Sequence, residues 1–159
     1  MKPALQAELL QRYPKFFRVA GKRLIDSALV ADGANGLVDN RGPFDEWGIE
    51  CGDGWFTIVD RLSLACEREI ELLIAQGEPQ ECWPRVAQIK EKFGSLRFYV
   101  QPPASAELRA VIRQCEVDSG RTCENCGAPG SPRMGRWRHT YCHICEAKKH
   151  AGAASRPVT

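Results

Sequence analysis

The stretch TCENCGAPGSPRMGRWRHTYCHIC, Thr122–Cys145, holds two closely spaced pairs of cysteines. Cys123 and Cys126 form the first pair, Cys142 and Cys145 form the second, and fifteen residues lie between the pairs. Thiols at this spacing are typical of a structural zinc site, in which two tight turns aim four sulfurs at one ion. Four sulfur ligands leave no open coordination position, so the predicted Zn²⁺ would stabilise the fold and take no part in catalysis.

Other interpretations of the four cysteines are less consistent with the sequence. A redox pair is disfavoured because two matched pairs are present and neither opens a clear βαβ unit. An iron–sulfur cluster also takes four thiolates and stays open as an alternative. His139, His143 or His150 could replace one sulfur, although His139 and His143 are interpreted as polar neighbours of the site. Disulfides are disfavoured because no secretory signal is recognised, and thiols are expected to stay reduced in the cytoplasm.

The residues around the two pairs predict how the site folds. Residues 127–132 favour a tight turn, residues 134–140 can form a short hairpin, and residues 146–154 suit a short helix. A knuckle, a hairpin and a helix that begins at the second pair would make a treble-clef finger, with a zinc ribbon as the close alternative. The finger is expected to span residues 121–150, and residues 151–159 to form a flexible tail.

The preceding 120 residues are predicted to form an α+β domain. Apolar side chains spaced by three to four residues predict helices over residues 3–12, 55–76 and 105–118. Alternation of apolar and polar side chains after Gly94 predicts a β-hairpin over residues 85–101, packed against the second and third helices. The fold class is therefore a helical and β-hairpin domain followed by a zinc finger.

Local signals predict where these elements begin and end. Asp53 is placed to cap the first turn of the second helix, and Gly77 to close its last turn. Ser105 is a plausible cap for the third helix. Residues 32–54, rich in Gly, Asn and Asp, predict an irregular loop with one short extended piece over residues 47–51.

The other four cysteines have no C-x-x-C partner. Cys66 and Cys115 lie on predicted apolar helix faces, whereas Cys51 and Cys82 lie in predicted loops. A free cysteine behaves as a small apolar residue and is usually buried. We therefore expect all four to pack inside the domain.

The net charge of +2 conceals an uneven distribution. Residues 1–25 carry a net charge of +5, residues 26–82 carry −10, and residues 83–159 carry +7. Two interpretations are open: the basic ends pack against the acidic middle of the same chain, or the C-terminal part binds nucleic acid or an acidic protein face. No apolar run approaches the ~18 residues of a membrane span, so no membrane partner is expected.

Basic residues surround the predicted zinc site. They are Arg121, Arg133, Arg136, Arg138, Lys148 and Lys149. Trp137 lies among them and could stack on a base, although packing on the finger's own small core is the favoured role for a lone tryptophan in such a unit. Further cations on the predicted β-hairpin could extend the same basic surface: Lys90, Lys92 and Arg97. The predicted binding surface thus suits DNA, RNA or an acidic protein.

A carboxylate cluster offers the strongest case for an enzyme. Asp45, Glu46, Glu50 and Asp53 could together hold Mg²⁺ for phosphodiester chemistry. A solvated loop with a helix cap is the favoured alternative, because the sequence has no glycine-rich phosphate loop and no recognisable nucleophile motif. We therefore expect that the protein is not an enzyme.

Four segments taken together resemble a family. GIECGDGWFTIVDRL, VAQIKEKFGSLRFYV, TCENCGAPG and WRHTYCHIC resemble a group of small uncharacterised proteins of tailed phages and prophages, over about residues 44–146. The resemblance implies a phage-like genome context and a zinc-bound C-terminal end. It favours an accessory protein that binds and modulates a host protein of the transcription or defence machinery. A nucleic-acid-binding finger is the alternative, and a metal-dependent nuclease is least favoured.

Overall fold

The computed structural model describes residues 1–18, 23–24, 37–38, 42–135 and 137–154. Within these ranges the chain is a mixed α+β protein with a cluster of four cysteines near its C-terminal end, which confirms the coarse prediction. None of the helices in the described ranges has the length and apolar character needed to cross a bilayer.

The helices and strands follow one another as the sequence patterns indicate, with some additions. The described helices are α1 Pro3–Arg12, α2 Pro43–Trp47, α3 Phe56–Ala75, α4 Ala106–Ser119 and α5 His143–Ala154. The described strands are β1 Arg23–Leu24, β2 Leu37–Val38, β3 Ile49–Glu50, β4 Arg85–Lys92, β5 Ser95–Gln101, β6 Ser131–Arg133 and β7 His139–Tyr141. Short 3₁₀ turns cover Asp53–Trp55 and Gln80–Cys82.

The central sheet has the strand order β3-β4-β5. Strand β3 runs parallel to β4 with Ile49 opposite Ile89, and α3 supplies the crossover between the two strands. Strands β4 and β5 form the hairpin predicted for residues 85–101, and α4 packs against β5 and α3. The predicted packing of the hairpin against the third predicted helix, α4, is thereby confirmed.

The hairpin turns through only two residues, Phe93 and Gly94. Their φ angles are 56° and 81°, and Lys92 pairs directly with Ser95. Positive φ at both central residues is the geometry that twists correctly between antiparallel strands, and it favours Asn-Gly or Gly-Gly. The role of Gly94 in the turn was predicted from the sequence. An aromatic residue at position 93 is, in contrast, unusual for a positive φ.

Helix α3 forms the centre of the core, although one expectation about it, the cap at Asp53, was wrong. Ile58, Leu62, Cys66 and Ile70 recur every four residues and are buried. Gly77 ends the helix with φ of +77°, as predicted, and the N–H of the next residue donates to the carbonyl of Leu73. The predicted cap, Asp53, makes no bond to α3; its carboxylate instead accepts the backbone N–H of Lys2 at 2.8 Å.

Helix α4 starts as predicted. The Oγ of Ser105 accepts the N–H of Leu108 at 3.1 Å, and the same hydroxyl donates to the carboxylate of Glu69 on α3. This arrangement satisfies an orphan N–H of α4 and ties the two helices together at one end.

The predicted irregular loop over residues 32–54 is partly regular. Its described part contains helix α2, Pro43–Trp47, which begins with a proline and whose Asp45 carboxylate accepts the N–H of Gly42. Strand β3 then falls inside the predicted extended piece over residues 47–51. The helix was missed because it spans only five residues and is too short to show a period.

Three of the four unpaired cysteines are buried, as expected. Cys51, Cys66 and Cys115 belong to the main core, and burial raises the pKa of Cys51 to about 12. Cys82 is exposed, so the expectation for that residue was wrong. It lies in a 3₁₀ turn within the proline-bounded connection between α3 and β4, and no residue of that turn is buried.

Candidate metal centre and its basic surface

The first cysteine pair lies in a tight knuckle. The N–H of Gly127 donates to the carbonyl of Cys123 at 2.8 Å, and the N–H of Cys123 donates to the carbonyl of Ala128 at 2.8 Å. Gly127 has φ of +78°, a left-handed conformation that glycine adopts without steric cost. This turn brings the thiols of Cys123 and Cys126 to the same side of the chain.

The second pair lies where strand β7 meets helix α5. Cys142 is the last residue before α5, and Cys145 lies in its first turn. The backbone N–H of Cys145 donates to the sulfur of Cys142 at 3.4 Å, and this bond is the first of the hydrogen bonds that lower the pKa of Cys142 to about 7. The side-chain amide of Asn125 donates to the sulfur of Cys145 at 3.2 Å. Such N–H donors favour thiolates, which are the form that binds metals.

The four sulfurs fit a tetrahedral metal ion. They lie within 4.8 Å of one another, and the sulfurs of Cys126 and Cys142 are 3.7 Å apart. A zinc–sulfur bond of about 2.3 Å in a tetrahedron places its sulfurs about 3.8 Å apart, which agrees with that distance. All four cysteines are free, and only Cys126 is exposed. The predicted clustering of the four residues is confirmed, and together they could hold a metal ion.

The knuckle rests on a glycine-containing loop some seventy residues earlier in the chain. The N–H of Gly54 donates to the carbonyl of Glu124 at 2.7 Å, and the N–H of Gly52 donates to the Glu124 carboxylate at 2.9 Å. A Cβ at position 54 would lie 2.2 Å from the carbonyl oxygen of Cys123, and one at position 52 would lie 2.3 Å from that of Glu124. Only glycine permits such close backbone contact.

The same contact reaches the core through Trp55. This side chain is fully buried, and its indole N–H donates to the carbonyl of Thr122 at 2.8 Å. Burial raises the pKa of the Glu124 carboxyl, while the N–H of Gly52 opposes that rise. This docking loop, residues 52–54, was not predicted from the sequence; the signal for it was the pair of glycines two residues apart directly before a tryptophan.

A second contact joins the finger to the β4–β5 hairpin. The buried hydroxyl of Thr140 donates to the carbonyl of Gly94, and a Cβ on Gly94 would lie 3.3 Å from the backbone of His139. The N–H of Glu124 donates to the carbonyl of Thr140 at 2.9 Å. Strand β7 thus lies between the knuckle and the hairpin turn, and contacts cross the predicted domain boundary at residue 120.

The histidines near the cysteines are not among the clustered ligands. Nε2 of His139 lies 2.8 Å from the carboxylate of Glu146, and Nε2 of His150 lies 2.9 Å from its other oxygen. His143 is exposed on α5. The interpretation of His139 and His143 as polar neighbours agrees with these positions.

The predicted basic residues lie around the cysteine cluster, but they differ in what they contact. The ones whose side chains have no carboxylate within 4.0 Å among the described residues are Arg121, Arg133, Arg138, Lys148 and Lys149. Arg133 donates to the carbonyl of Tyr141, and Nζ of Lys149 lies 5.3 Å from the centre of the Tyr141 ring. Arg136 lies outside the described residues.

Arg121 and Trp137 are both exposed on this surface. Arg121 lines an open cleft of about 310 Å³ together with Arg61 and Asp118. Trp137 is 77% exposed, so the favoured expectation that it packs inside the finger was wrong. The finger's buried cluster consists of cysteines with Tyr141 against them, and it leaves no room to cover an indole. The ring of Trp137 therefore faces solvent next to the exposed Arg138.

The N-terminal cations, in contrast, contact the rest of the chain. Three of them pair with carboxylates of the acidic segment: Lys2 with Asp53 at 3.0 Å, Arg12 with Asp60 at 2.7 Å and Lys15 with Glu67 at 3.5 Å. Arg18 donates to the carbonyls of Pro84 and Trp83. The interpretation that basic ends pack on the acidic middle therefore holds for the described N-terminal residues and not for the finger.

The predicted carboxylate cluster does not assemble into a site among the described residues. Asp45 is bonded to Gly42, Glu50 accepts the amide of Gln88 at 3.1 Å, and Asp53 is paired with Lys2. Glu46 is exposed on α2. The described ranges contain no group of metal-ligating side chains besides the four cysteines. That the protein is not an enzyme stays a prediction.

Comparisons of the chain with protein families, with curated proteins and with solved structures find no match.

Proposed function

We propose that the protein is a zinc-stabilised binding protein whose C-terminal finger attaches to a negatively charged partner. The four cysteines hold Zn²⁺ in this proposal, since four thiolates in a tetrahedral arrangement suit zinc. A knuckle at the first pair, the hairpin β6–β7 and a helix starting at the second pair support a treble-clef finger over a zinc ribbon. The ion fixes the position of the cations and performs no chemistry.

One observation carries the choice of an anionic partner. The finger's cations have no carboxylate within salt-bridge distance in the described part of the chain, while the N-terminal cations are paired internally. Unpaired positive charge on one surface attracts nucleic acids and acidic protein faces. The zinc finger holds that charge in place at low entropic cost to binding.

The resemblance to phage proteins adds a second proposal, in which the partner is a host protein of the transcription or defence machinery. Exposed apolar side chains on the finger support it, namely Met134, Trp137 and Ile144. Tryptophan, methionine and arginine are enriched in the centres of protein interfaces. A protein retained from bacterial lysate equally well with and without nuclease would favour this partner.

The charge proposal is tested by retention on a heparin column, with metal content measured on the same preparations. We expect one zinc per chain, and we expect Arg138→Gln to elute at lower salt than the unmodified protein. The matched control is Lys15→Gln, which removes an internally paired cation and should leave elution unchanged. Equal effects of the two substitutions, or a preparation without metal, would contradict the proposal.

A further inference from the structure

Two exposed aromatic rings lie on neighbouring turns at the junction of the finger and the sheet. Phe93, in the β4–β5 turn, is 68% exposed, and Trp137, between β6 and β7, is 77% exposed. We call these two rings with the adjacent cations Lys92, Arg138 and Lys149 the stacking surface. Neither ring contributes to a buried cluster, so neither is explained by the stability of the fold.

The contacts beneath the rings hold the two turns together. The residue after Phe93, Gly94, lies against the backbone of His139 and accepts the hydroxyl of Thr140. The ring of His139 lies 3.0 Å from the carbonyl of Trp137. Both turns are thereby anchored to the same strand, β7, which also leads directly into the metal ligand Cys142. Metal binding at the finger should therefore order strand β7, and with it the two turns that carry the rings.

Phe93 lies in the left-handed region of backbone conformation, which is unfavourable for its side chain. Its φ of 56° is favourable for asparagine or glycine and unfavourable for an aromatic residue. Burial of the ring would compensate for this strain, but the ring is exposed. Strained residues that gain nothing in the fold are characteristic of binding sites. The position therefore points to a ligand that contacts the ring.

The charges on the stacking surface are positive. Nζ of Lys92 lies 5.5 Å from the centre of the Phe93 ring, and Nζ of Lys149 lies 3.1 Å from Nδ1 of His139. The carboxylates close by are engaged: Glu91 accepts the N–H of Gly94, and Glu146 contacts His139 and His150. An approaching polyanion meets cations beside each ring.

We propose that the stacking surface binds single-stranded nucleic acid, with bases on Phe93 and Trp137 and phosphates on the cations between and beside them. The inference rests on the proposed attachment to an anionic partner and assigns its chemical class. Aromatic planes interleaved with cations are the common device for single strands, because every unpaired base offers a face for stacking. A duplex hides those faces in its own stack, so it offers the two exposed rings no comparable contact.

The test measures the anisotropy of a labelled oligothymidylate of about 12 nucleotides, a length within the usual range of such sites. The unmodified zinc-loaded chain is compared with Trp137→Ala, with Phe93→Asn and with the charge variant Arg138→Gln. Phe93→Asn is the sharpest variant because asparagine suits the turn, so we expect higher thermal stability together with weaker binding. The matched control is Trp47→Ala, which removes an exposed ring on α2 between Glu46 and Glu50.

We expect each aromatic substitution on the stacking surface to weaken binding about tenfold, and the control to leave it unchanged. A duplex of the same length should bind more weakly than the single strand. If Arg138→Gln weakens binding while both aromatic substitutions do not, the stacking inference is overturned and the anionic surface stands. If the oligonucleotide does not bind and a nuclease-resistant protein is retained from lysate, the nucleic acid is the wrong partner class.

Discussion

The cations at the two ends of the chain have opposite surroundings. At the N-terminal end they lie within 3.5 Å of carboxylates that the acidic segment supplies, as in the pairs Lys2–Asp53, Arg12–Asp60 and Lys15–Glu67. At the finger, Arg121, Arg138 and Lys148 have no such neighbour among the described residues. The same excess of positive charge thus stabilises the fold at one end and stays available to a partner at the other.

Charge alone could not have distinguished the two ends. The buried carboxylate of Glu67 accepts the N–H of Phe16 at 2.9 Å, so backbone as well as side chains draws the N-terminal segment onto α3. The finger is held instead by its cysteines and by the contacts of Gly52 and Gly54. The attachment of the finger therefore does not use the charges of Arg121, Arg138 and Lys148, which form no ion pair within the described ranges.

Removal of the metal should give the largest difference in stability between the two ends of the chain. Cys126→Ser, or chelation of the metal, should unfold the finger, because the binding free energy of a structural zinc, about 10–16 kcal/mol in finger peptides, is folding free energy there. Limited trypsin digestion should then cleave within residues 121–150, while α1 and α3 stay protected. The matched control, Cys82→Ser, replaces an exposed cysteine outside the cluster and should change neither metal content nor cleavage. Metal retained at full stoichiometry in Cys126→Ser would contradict the assignment.

The docking loop should give the next largest effect. Gly54→Ala forces a Cβ to within 2.2 Å of a backbone oxygen of the knuckle, and the resulting shift should lower the free energy of unfolding by about 3 kcal/mol. Circular dichroism followed through a urea titration reports the change. Gly135→Ala is the control, since the nearest atom to its Cβ would be 4.0 Å away. Similar stability of the two variants would mean that the finger does not rest on this loop.

A smaller loss is expected from the N-terminal end. Glu67→Ala leaves the N–H groups of Lys15 and Phe16 without their acceptor, which should cost about 2 kcal/mol of unfolding free energy. Binding to heparin or to oligothymidylate should be unaffected once the variant is folded. Arg138→Gln should show the reverse pattern, with a stability change below about 0.5 kcal/mol and clearly weaker binding. If Glu67→Ala and Arg138→Gln changed stability and binding in the same way, the distinction between the two ends would be contradicted.

The smallest effect concerns pH. The backbone N–H of Lys2 and its ammonium hold the pKa of Asp53 below its usual value. A carboxyl with a depressed pKa contributes stability above its unfolded pKa of about 4 and loses that contribution as the pH falls through the folded value. The melting temperature of Asp53→Asn should therefore lie slightly below that of the unmodified protein at pH 6, with the difference disappearing below about pH 4. A difference that grows on acidification would have the wrong sign.

Local signals predicted the parts of the molecule that depend on neighbouring residues. The cysteine spacing, the hairpin around Gly94, the cap at Ser105 and the end of α3 at Gly77 each follow from a few consecutive side chains. These features depend chiefly on residues close together in the sequence, which is why periodicity and turn chemistry suffice to find them.

The features that were missed depend on residues far apart in the sequence. Asp53 was expected to cap α3 but is held by Lys2, about fifty positions earlier. The tight packing at Gly52 and Gly54 depends on the knuckle some seventy positions later. The exposure of Trp137 follows from how little core the cysteine cluster leaves to fill. A pattern read over a short stretch of sequence gives no information about such long-range contacts.

The most direct test compares the salt dependence of oligothymidylate binding for two triple variants. One, called the C-terminal variant, replaces Arg138 and Lys149 together with Lys92 on the adjoining hairpin turn by glutamine; the other, called the N-terminal variant, replaces Lys2, Arg12 and Lys15. Each phosphate contact on a single strand contributes about 0.7 to the slope of log K against log salt. We predict that the C-terminal variant lowers the slope by about 2, and that the N-terminal variant leaves it unchanged while reducing stability. Equal slopes for the unmodified protein and the C-terminal variant would contradict the account.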